Sequence, residues 1–390
     1  MPTEALSRDT TASAPAGFWA APGRKALGKI LLLGVSALAV VFLLDAAMFR
    51  TRFYVRYLEP FSSAGNFEAI LAAGRQQEFT RPHPVLVLGD SQASEGFSAQ
   101  VADAAGARSG WQFFNAAVGG SSMRCWYYMV RDLDPDRTRF DVIVLPLRGY
   151  ADVDDEVIRA DRDIDIHWVI ARLGLADIPE FSSSFRTPLK RLEMFREALF
   201  KGLVYRRDLR ELLRDPAERM QHVKDCRTAC ADSFYNYPGR TENLSGLWMD
   251  WATDTLHFPA GVSPQVQAEM KMNTHYRRWS VRGLERAYRN VWLGRIMERY
   301  RGTRTRFVLV SLPYHPFAIP FSWPEGPDSF AAQASRDPRV TVLDEHLFDD
   351  LEKPELFFDT FHMNRTGRVL FSNRLAAALI QRLGTGSSSQ

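Results

Sequence analysis

The stretch VLVLGDSQASEG, residues 85 to 96, runs four aliphatic residues directly into Gly-Asp-Ser. An apolar run of that kind reads as a buried strand, and in a parallel sheet the carboxyl ends of strands are where ligands bind, so Ser91 stands where chemistry is usually done. Gly89 permits the tight turn that would present the hydroxyl. A serine is a weak nucleophile by itself. It needs a histidine base, a carboxylate to orient that base, and N–H donors for the oxyanion that forms. The first two stand near the C-terminus: FFDTFHMNRTG, residues 357 to 367, places Asp359 three residues before His362 and directly ahead of an amphipathic run. In this arrangement Asp359 orients the imidazole and His362 takes the proton of Ser91. Asn364 or Thr366 can cap the helix that follows and so fix the loop. A lone D-x-x-H is common as a satisfied cap; paired with a strand-end Gly-Asp-Ser it is much more specific.

The elements that must position these groups are legible as short apolar runs: VLVLGD, QFFNAAV, DVIVLPL, RFVLVSLP and RVTVLDE. They are rich in β-branched residues and do not alternate cleanly. Strands buried on both faces have this character, which predicts a mainly parallel sheet in an α/β fold. The body begins at residue 84. Residues 152–304 separate the third run from the fourth, too long for one crossover, and predict a mainly helical insertion. Its first helix is expected over LKRLEMFREALFKGLVYRRDLRELLRD, with Leu192, Phe195, Leu199 and Leu203 as the inward face. The basic residues around it, from Lys190 to Arg210, read as a solvated surface, ahead of a membrane-surface role. A second helix is expected over VRGLERAYRNVWLGRIMERYRG and a third over NRTGRVLFSNRLAAALIQRL, with residues 383–390 as a flexible tail.

With 390 residues and 46% hydrophobic content, the chain can bury a large core. Its net charge of +3 arises from mixed signs without a dense basic stripe, which argues against nucleic acid as a partner. At the N-terminus, residues 1–25 form a polar, expected cytoplasmic segment, and residues 26–49 contain the apolar run Ile30 to Leu44, extendable to Phe49 if Asp45 lies at an interface. That matches the roughly 20 residues that cross a bilayer. A cleaved signal peptide is the alternative, with small residues at Ala46 and Ala47, but no clean cleavage site follows. The basic residues Arg8, Arg24, Lys25 and Lys29 precede the run, while Arg50, Arg52 and Arg56 follow it. The near side outnumbers the far side slightly, which predicts the N-terminus inside and the body outside the cytoplasm. Residues 50–83 then form a membrane-proximal connector.

At this level the sequence resembles the SGNH/GDSL hydrolases. GDSQASEG is similar to their first block, NAAVGGSS at residues 115 to 122 to their second, and DTFHMNRTG to their last. The resemblance covers residues 84–151 and 305–382. It implies a three-layer α/β/α flavodoxin-like fold, a Ser91-His362-Asp359 triad, and an oxyanion hole from the backbone N–H groups of Ser91 and Gly120, with Gly119 the adjacent candidate. The third block departs from the pattern. Aligned on Gly149 and Asp152 in LRGYADVDD, the position of the family's Asn donor holds Ala151, leaving Arg148 and Tyr150 as substitute donors or substrate contacts. With its anchor and insertion the chain is similar to bacterial extracytoplasmic SGNH O-acyltransferases. That likeness implies acetyl transfer through acyl-Ser91 to an exopolysaccharide or cell-wall polymer in the periplasm, with a multi-spanning membrane acyltransferase as a partner. An esterase using water, and a catalytically weak scaffold, are the rival readings.

No cofactor is called for, and the cysteines Cys125, Cys226 and Cys230 make no metal pattern. Cys226 and Cys230 read either as a local disulfide outside the cytoplasm or as ordinary thiols. Asp161, Asp163 and Asp165 resemble the start of a calcium loop, but Ile166 and Arg172 occupy its required Gly and Glu positions, so a solvated acidic loop is expected. Trp248, Trp251 and His257, like Tyr276 and Trp279, could stack on a sugar, although such density reads first as subdomain core. His315, after the fourth strand, is a candidate substrate contact at the same edge.

Overall fold

The computed structural model describes residues 24–147, 162–274, 284–315, 317 and 329–384. Five strands form one parallel sheet: β1 (His83–Val87), β2 (Trp111–Asn115), β3 (Val142–Leu147), β6 (Arg306–Ser311) and β7 (Val340–Val342). Their spatial order is β2-β1-β3-β6-β7, the doubly wound order in which the chain first steps one way from β1 and then the other way from β3. The five apolar runs of the sequence are these five strands. Their failure to alternate has a direct cause. Val85, Val87, Val142, Val144, Val308 and Val310 point into one apolar core, while Leu86, Leu88, Ile143, Leu145, Phe307 and Leu309 point into another. Both faces of the sheet are covered, so neither set of alternate positions can be polar.

The helices Ser63–Gln76, Met123–Leu133 and Leu284–Arg299 contribute to the core on the second of these faces. Ala99–Gly106 and the long last helix, Arg365–Gly384, cover the first. Between β3 and β6 the chain also forms a two-stranded antiparallel hairpin, β4 (Trp248–Asp250) and β5 (Thr255–His257), which no sequence signal announced.

The N-terminal helix Arg24–Asp45 continues as a π-helical turn through Arg50. Lys25–Arg50 is long and apolar enough to cross a membrane. The end of this helix is keyed to the body by two charges. The backbone N–H groups of Lys201 and Gly202 donate to the Asp45 carboxylate at 3.1 and 2.7 Å. Arg50 Nη2 donates to the carbonyls of Ala198 and Leu199 at 2.6 and 2.9 Å. A carboxylate thus meets the N-terminus of the helix Gly202–Arg214, and a guanidinium meets the C-terminus of the helix Pro188–Leu199, each with the sign that the helix dipole favours.

That pair of helices departs from the sequence expectation in two ways. The single helix expected there is broken at Phe200 and Lys201, where Asp45 and Arg50 bind the freed backbone groups. The expected inward face is also largely turned outward: Met194 and Ala198 are buried and Leu199 packs partly buried on the core, whereas Leu192, Phe195 and Leu203 are exposed. The acidic loop differs too. Asp165 is fully buried, accepting from Arg124 Nη1 at 2.5 Å and from the Ser122 hydroxyl at 2.8 Å, so it is a structural ion rather than a solvated carboxylate. Asp163 pairs with Lys190, and Asp161 lies outside the described residues.

Candidate active site

β1 and β3 are neighbours from which the chain leaves in opposite directions, and the crevice beyond their carboxyl ends is where such folds bind ligands. Ser91 stands there, opening the short helix Ser91–Gly96. Asp90 caps that helix, its carboxylate accepting from the Gln92 N–H at 2.9 Å. Gly89 is required by space, because a Cβ there would fall 2.3 Å from that of Ala93. At the other end of the helix, Arg368 donates to the carbonyls of Ser94 and Glu95 at 2.6 and 2.7 Å. The last helix therefore holds the serine's helix from behind.

The residues from the two ends of the chain meet. His362 Nε2 lies 2.8 Å from Ser91 Oγ, and His362 Nδ1 lies 2.7 Å from Asp359 Oδ2. An ionised carboxylate only accepts, so Nδ1 carries the proton and Nε2 is left to accept from the serine hydroxyl. Asp359 Oδ1 also accepts from the backbone N–H groups of Phe361 and His362, at 2.9 and 2.8 Å. Burial alone would raise the Asp359 carboxyl, but its hydrogen bond and charge pairing with His362 and these two N–H donors outweigh that and hold it below the ordinary carboxylate value. Burial pulls His362 down, yet the hydrogen bond and charge of Asp359, together with the charges of Asp90 and Glu95, outweigh it and leave the imidazole with a raised pKa. The loop is fixed on both sides. Asn364, not Thr366, caps the last helix, accepting from the N–H groups of Thr366 and Gly367, and Gln92 Nε2 donates to the Phe361 carbonyl at 3.2 Å.

Gly119 and Gly120 form the central pair of a turn closed by Ser121 N–H to the Val118 carbonyl at 3.0 Å. Gly120 has φ +74°, and a Cβ there would press on the Trp168 ring at 3.2 Å, so glycine is required both by conformation and by space. A Cβ on Gly119 would come 3.7 Å from that of Ser91, which sets this turn directly beside the serine. Arg162 Nη2 donates to the Gly120 carbonyl at 2.6 Å, and Arg162 Nε sits 4.0 Å from the buried Asp165 carboxylate. Sequence reading missed Arg162 and Trp168. Neither carries a motif, and both meet the turn only through the tertiary placement of residues 162–169 against it.

Other expectations fare differently. His315 is buried against Phe317 and Phe357, and burial lowers its pKa to about 3, only partly opposed by the charge of Asp359. It supports the Asp359 loop as a neutral ring, not as a surface contact. Glu269, unsignalled in the sequence, is raised by burial and by the Asp359 charge, which brings the helix Pro264–Thr274 to the edge of the site. Trp248 and Trp251 are exposed rather than core, at 52% and 73%. Trp248 stacks flat on His257 at 4.0 Å, and Trp251 meets Phe317 edge-on at 6.2 Å. Arg148, Tyr150 and Ala151 lie outside the described residues, as do Tyr276 and Trp279. Cys226 is disulfide-bonded and Cys125 is free and buried, while the side chain of Cys230 lies outside the described residues. Among the described residues no cluster of His, Cys, Asp and Glu could hold a metal ion.

Compared with known proteins, the chain matches no family model, and no curated protein matches it.

Proposed function

We propose that this protein is a membrane-anchored serine enzyme of SGNH type that works through an acyl-Ser91 intermediate, and that it transfers acetyl groups to a surface or cell-wall polysaccharide. The observation that carries the reading is the continuous hydrogen-bonded chain from Ser91 Oγ through His362 to Asp359, at 2.8 and 2.7 Å.

In the proposed reaction, Ser91 Oγ attacks the carbonyl carbon of an acyl donor as its proton passes to His362 Nε2. The negative charge that develops on the carbonyl oxygen is met by the N–H groups of Ser91 and Gly120. Collapse breaks the bond to the leaving group, which takes the proton back from His362 and leaves acyl-Ser91. A sugar hydroxyl then gives its proton to His362 and attacks the acyl carbon. Ser91 leaves as the second tetrahedral species collapses and recovers its proton from His362. Asp359 stabilises the imidazolium in both halves without itself being protonated.

The long apolar N-terminal helix supports a single-pass anchor, and the slight excess of basic residues ahead of it favours an extracytoplasmic body in a bacterial inner membrane. Periplasmic placement would leave acyl delivery to a membrane-spanning acyltransferase partner. A catalytically weak scaffold is the second reading, favoured by Ala151 where an additional oxyanion donor is expected, while an esterase differs from the transferase only in taking water as acceptor. The test is the intact mass of the protein after incubation with an activated acetyl ester. Transfer predicts an acetyl adduct that is absent from Ser91→Ala and clears faster with oligosaccharide than in water. Fast clearing in water alone indicates an esterase, and no adduct at all refutes the acyl-serine reading.

A further inference from the structure

Among the described residues outside the N-terminal helix, four of the exposed large apolar side chains fall on one helix and the first turn of the next. Leu189, Leu192, Phe195 and Leu203 stand outward from the two consecutive helices Pro188–Leu199 and Gly202–Arg214, with Leu189 at 77% and Leu192 at 65% exposure. Leu189, Leu192 and Phe195 recur as a stripe at intervals of three along the first helix, Leu203 follows in the first turn of the second, and Leu199 between them packs partly buried on the core. The opposite side carries Met194 and Ala198 into the core, so the stripe has no room to turn inward. A soluble surface would ordinarily place polar residues here.

The position of the stripe indicates what covers it. The junction of the two helices is held by Asp45 and Arg50 at the end of the apolar N-terminal helix. Phe200 at that junction meets Phe42 edge-on at 6.1 Å. Phe195 and Leu203 thus lie within one helical turn of the backbone groups that Asp45 and Arg50 bind, next to the end of the apolar N-terminal helix. Exposed Arg191, Arg196 and Arg206 lie among the apolar positions, the mixture of Leu and Phe with Arg that suits a boundary between acyl chains and phosphate headgroups.

We infer that the helix Pro188–Leu199 and the first turn of Gly202–Arg214 lie in the interfacial zone of the lipid bilayer, with Leu189, Leu192, Phe195 and Leu203 in contact with lipid. The inference rests on the single-pass anchoring reading but not on any catalytic activity. It gives the body two attachments to the membrane, a span and an interfacial helix pair locked to its end. Rotation about the span is then restricted, and the body, with its active site, is held in one orientation toward the bilayer.

The test uses the full-length chain in vesicles of phosphatidylethanolamine and phosphatidylglycerol. Leu192→Cys and Phe195→Cys are labelled with a polarity-sensitive fluorophore and challenged with aqueous iodide. Leu38→Cys in the span and Trp251→Cys on the hairpin serve as embedded and aqueous references, and labelling of the unsubstituted chain sets the background. Both test positions are exposed, so labelling removes no core contact, and a thermal melt matching that of the unsubstituted chain verifies the fold. The inference expects blue-shifted emission and several-fold weaker quenching at 192 and 195 than at 251. If 38 is embedded while 192 and 195 quench like 251, the inference is overturned and the anchor stands. Quenching at 38 like that at 251 overturns the anchor itself, and the inference with it. Shielding of 192 and 195 only in native membranes, and not in lipid vesicles, also overturns it and assigns the stripe to a protein partner.

Discussion

Two apolar stripes of similar strength meet opposite fates in this chain. Val85 to Leu88 is enclosed on both sides, and its alternate residues feed two separate cores. Leu189, Leu192 and Phe195 form an equally regular pattern at helical spacing and face outward. The difference lies in what surrounds each. A central strand of a doubly wound sheet has helices on both faces, so an apolar residue at any position is buried whichever way it points. A surface helix has a single buried face, and periodicity reveals the stripe without revealing which solvent it meets.

The largest effects are expected at the site that the sheet positions. Ser91→Ala removes the nucleophile, and turnover of an activated acetyl ester should fall on the order of 10⁶-fold, with no acetyl adduct by mass. Asp359→Asn keeps the shape but loses the charge that orients and stabilises His362, and kcat should fall on the order of 10⁴-fold. The same variant has a pH signature. The reaction needs neutral His362, so the raised pKa sets an acid limb above the ordinary value of about 6.5, with rate lost as pH falls through it. Without the Asp359 charge, burial dominates and the limb should move to lower pH in the rate profile. For stability the signs are separate. The contribution from Asp359 is present above its unfolded value and lost as pH falls through its depressed folded pKa. That from His362 is present below its unfolded value and lost as pH rises through its raised folded pKa.

Smaller effects sharpen the contrast between the inward and outward faces of one helix. Met194→Ala should cost about 2–5 kcal/mol in a denaturant titration, because Met194 is fully buried. Gly120→Ala forces a left-handed backbone and presses on Trp168, and should cost about 1–3 kcal/mol in the same assay. Leu192→Ala, two residues from Met194 on the opposite face, should change the stability of detergent-solubilised protein by less than about 0.5 kcal/mol. A loss at Leu192 as large as that at Met194 would mean that the outward stripe is covered by the protein itself.

Much of the sheet was legible because parallel strands announce themselves as unbroken β-branched runs. The serine and the D-x-x-H pair were legible because they stand at strand and helix ends, where local spacing alone dictates presentation. The cap was narrowed to Asn364 or Thr366 for the same reason, and the structure decides for Asn364. Arg162 and Trp168 were not visible, since they reach Gly120 across some forty residues of chain with no motif. Asp165 looked solvated from its acidic neighbours and is buried because Arg124 neutralises it in an apolar setting of Phe181, Phe185 and Trp292. His315 looked like a crevice residue from its place after β6, yet the packing of Phe317 and Phe357 encloses it.

The amino-acid sequence by itself determined the strands, the apolar N-terminal helix and the three residue types that meet at the candidate site, because each of these depends on local pattern or on the chemistry of single side chains. Tertiary structure alone decided the 2.8 Å approach of His362 to Ser91, the clamp on the Gly120 turn and the outward face of the helix Pro188–Leu199. Those depend on which surfaces the rest of the chain leaves free, and no local pattern carries that information.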